Sequence, residues 1–120
     1  MADSTVRFVV DFRINDGAFV AFERVARVMA AETQKEPGTL AYEWFLGGDR
    51  VRCRLFEAYV DGDAALAHLQ GPVVQELVPK LLETGSLAGF EVFGDPGPEV
   101  SKIVAGLGAE VFAAWLGFSR

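Results

Sequence analysis

The sequence predicts an α+β fold in which two strand–helix–strand units share one antiparallel sheet with helices on one face. Three observations predict it. Val6 to Ile14 alternates apolar and polar residues, the period of a strand with one buried face. Ala18 to Lys35 changes to helical spacing, with Phe19, Phe22, Ala26 and Met29 recurring at three- and four-residue steps. Glu36-Pro37-Gly38 stops that helix, and Gly47-Gly48-Asp49 joins two further amphipathic runs into a hairpin.

In the first strand Val6, Phe8, Val10, Phe12 and Ile14 share one face, and Arg7, Asp11 and Arg13 the other. Asn15-Asp16-Gly17 ends it, with Asp16 expected to cap the first helix. The second strand, Leu40 to Leu46, sets Leu40, Tyr42, Trp44 and Leu46 opposite Ala41, Glu43 and Phe45. In the third, Val51 to Val60, the residues Val51, Cys53, Leu55, Glu57 and Tyr59 oppose Arg52, Arg54, Phe56, Ala58 and Val60. Neither face of the hairpin is wholly polar, so both are expected to be covered: one by helices, the other by a second subunit.

Asp61-Gly62-Asp63 caps a short helix, Ala64 to Gln70, which carries His68. Pro72 suits the first turn of the next helix, whose stripe is Val74, Leu77, Val78, Leu81 and Leu82, with a kink expected at Pro79 and an end at Gly85. Ser86 to Gly94 reads as a fourth strand, and Asp95-Pro96-Gly97-Pro98 breaks it. A helix over Glu99 to Gly106 follows, then an apolar tail, Ala109 to Arg120, whose conformation the pattern leaves undecided. This order is the ferredoxin-like one, with residues 1–95 as the domain and 96–120 as a C-terminal extension packing on the body or on the partner subunit.

Composition bounds the function. A chain of 120 residues has room for one core. With 51% hydrophobic residues and a mean hydropathy of +0.24, it has apolar surface to bury between subunits. The net charge of -6, with no basic run, argues against duplex nucleic acid and anionic membranes as partners. One cysteine and one histidine leave no internal disulfide and no dedicated zinc site, and Cys53 on its strand reads as a small buried hydrophobe. No secretory leader and no apolar run of membrane-spanning length is visible, so the expected location is the cytoplasm.

The run EPGTLAYEWF, followed by LFEAY and then DGDAALAHL, resembles the antibiotic biosynthesis monooxygenase family. The likeness covers about Val6 to Phe93, with its specific motifs between Glu36 and His68. It implies a dimeric α+β barrel, in which two protomers pack sheet against sheet. It also implies a monooxygenase that oxidises an electron-rich aromatic, a polycyclic phenol or a quinol, with molecular oxygen and no cofactor. The haem-degrading branch fits poorly, because Asn15 lies at the wrong end of its strand and no tryptophan precedes His68 on its helix.

Cofactorless oxygenation needs a flat substrate in a dry pocket, a base, and a group that stabilises a developing oxyanion. His68 is the natural base, Tyr42 and Trp44 offer aromatic walls with a phenol and an indole donor, and Glu57 could orient the histidine. Phe22, Tyr59 and Leu69 are the expected substrate contacts. No flavin, nicotinamide or phosphate-loop signature is present, so no cofactor is expected. Every one of these residues also has a packing role: His68 in a helix rim, Tyr42 and Trp44 in a core, Glu57 meeting Arg50, Arg52 or Arg54. The alternative to an enzyme is a dimeric binding or stress-related protein of the same fold.

Overall fold

The alternation in β1 (Val6–Ile14) becomes its burial pattern, since Val6, Phe8, Val10, Phe12 and Ile14 are all buried. The computed structural model describes residues 3–120. β1 is central in a five-stranded sheet of order β2-β3-β1-β4-β5, where β2 is Thr39–Leu46, β3 Arg52–Tyr59, β4 Gly85–Phe93 and β5 Glu110–Phe112. Three of the four pairings are antiparallel, and they set Tyr42, Glu57 and Phe8 side by side across β2, β3 and β1. Phe8 packs at 5.1 Å from Tyr59 and 5.3 Å from Phe90, and burying a side chain of this size stabilises the fold by roughly 1.5–3 kcal/mol.

Helix α1 (Phe19–Thr33) covers this face with Phe22 and Met29, both buried as the spacing requires. Asp16 does not cap it. Residues 15–17 form a turn, closed by the Ala18 amide donating to the Asn15 carbonyl at 3.0 Å, and Ala18 stands at the N-cap without a side-chain bond. Asp61 does cap α2 (Gly62–Gln70), its carboxylate accepting from the Ala64 amide at 2.9 Å.

The kink expected at Pro79 takes another form. Val73–Leu77 is a π-helical turn running into α3 (Val78–Leu81), and the irregularity precedes the proline, whose missing N–H cannot continue the helical ladder. Gly85 opens β4 instead of ending the helix.

α4 (Gly97–Gly106) packs against α2 through buried Val100 and Val104. Gly108, at φ 80°, then turns the chain back so that β5 pairs parallel to β4. The expected antiparallel sheet is therefore mixed at this edge. Residues 113–120 form no helix or strand, and Trp115, Leu116 and Phe118 are 90, 79 and 81% exposed, so this part of the tail is not packed on its own body.

Candidate functional site

The helix-covered face encloses a cavity between sheet and helices. Its floor is Phe8, Val10, Phe12, Leu55 and Phe90; its polar edge is Tyr42, Glu57 and His68; Val74, Val78 and Leu82 form the far wall at four-residue steps. The volume is about 90 Å³, below the roughly 300 Å³ at which pockets begin to hold drug-sized ligands. Leu82 and Leu107, both partly exposed, stand at its rim.

His68 is held from two sides. Its Nδ1 lies 2.8 and 3.0 Å from the two carboxylate oxygens of Glu36, and its Nε2 lies 3.5 Å from Glu57 Oε1. Facing the two Glu36 oxygens, Nδ1 is the ring nitrogen placed to donate, an arrangement that would leave the lone pair of the neutral ring on Nε2. Glu36 reaches His68 because its turn lies hard against α2: a Cβ on Gly38 would sit 2.6 Å from Ala64 Cβ. Thr39 Oγ1 donates to Glu36 Oε1 at 2.8 Å and fixes the carboxylate further.

Glu57 does not meet the arginines. Strand alternation sends it to the core face and Arg52 and Arg54 to the other, and it accepts a hydrogen bond from the Tyr59 hydroxyl. Burial pushes its pKa up to about 8, with Glu36 adding and the Tyr59 bond opposing, so it is chiefly a neutral acid at pH 7. Burial lowers the pKa of His68, opposed by the charge and hydrogen bond of Glu36. The phenols of Tyr42 and Tyr59 are pushed above their ordinary range, first by burial and then by Glu57. The cavity thus holds a neutral imidazole beside a neutral carboxylic acid, with the ordinary order of their proton affinities reversed.

Of the residues singled out in the sequence, Tyr42, Glu57, His68 and Leu69 meet at this cavity. Tyr59 stands behind it, its ring 5.5 Å from that of His68. Trp44 and Phe22 line a different cavity, near Ile14, Phe19 and Cys53. Phe12 separates the two, stacked on Trp44 at 5.8 Å while its own ring faces the first cavity. The buried Trp44 Nε1 has no hydrogen-bond partner among the described residues. Glu36 escaped the sequence reading, which took it as part of a helix stop.

A ferredoxin-like protein with an apolar-walled cavity edged by a histidine and a buried carboxylic acid has groups that can take and give a proton there. The sequence profile described as "Antibiotic biosynthesis monooxygenase" matches residues 5–80. The chain belongs to the antibiotic biosynthesis monooxygenase family.

Among solved structures, MupZ from Pseudomonas fluorescens is 26% identical with a TM-score of 0.83, covering 97% of this chain and 94% of that one. That likeness takes in the C-terminal extension. SnoaB from Streptomyces nogalater, described as a cofactor-independent oxygenase, is 23% identical with a TM-score of 0.68, over 81% of this chain and 97% of that one. Rv0793 from Mycobacterium tuberculosis is 22% identical with a TM-score of 0.70, over 79% and 98%. No curated protein matches the sequence significantly.

Proposed function

We propose that the protein is a cofactor-independent monooxygenase that oxidises an electron-rich aromatic, a polycyclic phenol or a quinol, with molecular oxygen. The observation that carries this reading is the place of His68 Nε2, 3.5 Å from Glu57 Oε1 at the edge of an apolar cavity. His68 takes the proton of a phenol or enol, and the resulting anion passes an electron to oxygen. The radical pair recombines to a hydroperoxide, which loses water to leave a carbonyl. One oxygen atom enters the product and the other leaves as water, so no external reductant is needed. Glu57 and Tyr42 are the donors available to the oxyanion. Membership of the family and the likeness to SnoaB, a cofactor-independent oxygenase, support this chemistry.

The protein acts in this reading as a cytoplasmic homodimer. Among the described residues no helix is long and apolar enough to cross a membrane. The sheet face away from the helices carries Phe45 and Phe56, 52 and 42% exposed with their rings 5.2 Å apart, and a second copy seated there would cover them. The C-terminal tail, with its exposed Trp115 and Phe118, packs on that partner.

One observation favours the other reading, a dimeric binding or stress-related protein. The 90 Å³ cavity is too small for fused rings unless its wall moves. Oxygen uptake by metal-free protein on a panel of anthrones, naphthols and hydroquinones, with His68→Ala alongside, decides between the two. Uptake that the variant loses supports the oxygenase, whereas silence across the panel with retained naphthol binding supports the binding protein.

A further inference from the structure

A buried histidine works as a base only if its lone pair points at the substrate. The ring of His68 has four ionisable neighbours: Glu36 from the turn after α1, Tyr42 from β2, and Glu57 and Tyr59 from β3. Of these only Glu36 bonds Nδ1, with both oxygens in reach, and it is itself held by Thr39. It is also the partner with a path to water, its side chain 26% exposed against 3% for His68.

We propose that Glu36 is the positioning residue of this site: it holds His68 as the Nδ1–H form, keeps Nε2 turned to Glu57 and the cavity, and steadies the imidazolium formed when substrate is deprotonated. The assignment rests on His68 being the base. Charge, not contact geometry, is what a carboxylate adds over an amide here. A glutamine could still accept from Nδ1–H, but it has no charge to offset that of the imidazolium.

His68 is the sole histidine, so untagged full-length protein labelled with ¹⁵N-histidine reports on one ring. At neutral pH the spectrum is expected to show Nδ1 protonated and Nε2 bare. Glu36→Gln is expected to shift the titration of His68 to lower pH, and Glu36→Ala to lose the single tautomer and give a mixture. A wild-type ring protonated at Nε2 overturns the proposal. Folded variants whose tautomer and titration match wild type overturn it equally. If either variant fails to fold, the wild-type tautomer still decides.

Turnover separates this proposal from the functional reading. With a substrate that consumes oxygen, Glu36→Gln is expected to lower kcat tenfold or more and leave KM within twofold. If no substrate reacts, the oxygenase reading fails, while the tautomer result stands on its own.

Discussion

Nε2 of His68 and Oε1 of Glu57 stand 3.5 Å apart, and each side chain is more than nine-tenths buried. A carboxylate and an imidazolium would favour each other, but burial disfavours the charge on each and is the largest influence on both. Burial raises the pKa of Glu57 to about 8 and lowers that of His68. The pair is therefore most stable carrying no charge.

Stability should depend on pH in a definite way. As pH rises from Glu57's usual range to about 8, the unfolded chain gives up a proton that the folded one keeps, so this group makes the fold less stable. His68 acts in the opposite sense below its unfolded pKa of about 6.5, where the unfolded chain binds the extra proton. Between pH 6.5 and 8 the Glu57 effect dominates, with a slope of at most about 1.4 kcal/mol per pH unit. Urea midpoints across that range should fall with pH in wild type and flatten in Glu57→Gln; equal slopes would mean that Glu57 is ionised in the fold.

Gly38→Ala should push the Glu36 turn off α2, because the added methyl would lie 2.6 Å from Ala64 Cβ. A loss of roughly 1–3 kcal/mol is expected from overpacking. Thermal unfolding measures it. A Tm within a degree of wild type would show that the turn gives way freely.

Leu82→Ala tests the size of the cavity. Leu82 is partly exposed at the rim, so the change should cost only about 1 kcal/mol. Naphthol binding, followed by titration calorimetry, should tighten as the mouth widens. Unchanged affinity would mean that the wall at Leu82 does not limit entry.

Phe56→Glu tests the pairing of sheets. It puts a charge on the open face beside Glu43, its register partner on β2, and should convert a dimer to a monomer at micromolar concentration. Sedimentation velocity reads the outcome. A wild-type protein that is itself monomeric would end the sheet-to-sheet model.

Much of this was legible in the sequence, for local reasons. Period-2 alternation put Glu57 on the face of Cys53, Leu55 and Tyr59, and a lone carboxylate in such a row already signals a buried ionisable group. The Asp61 cap was equally local. Glu36 was not legible, because its partner lies 32 residues away and the contact depends on how closely Gly38 lets a turn approach a helix. Trp44 shares a face with Tyr42, but residues two apart on a strand are separated by about 6.8 Å. Their rings meet edge-on at 5.9 Å, but Trp44 stacks on Phe12 and the two aromatics serve different cavities. The short parallel strand β5 depends on a reversal at Gly108 that no periodicity announces.

The π-helical turn at Val73–Leu77 separates two inheritable properties of this protein. Glu57, His68 and Glu36 lie on β3, α2 and the turn after α1, while the far wall hangs on a helix whose winding differs from α by about one inserted residue. Gln75 ties that segment to the end of α2 through the Leu69 carbonyl at 2.9 Å. Deleting or adding one residue there would swing Val78 and Leu82 around the helix axis by about 100° without touching His68 or Glu57. A lineage could in this way reshape the cavity in a single mutational step while keeping the Glu36, Glu57 and His68 cluster.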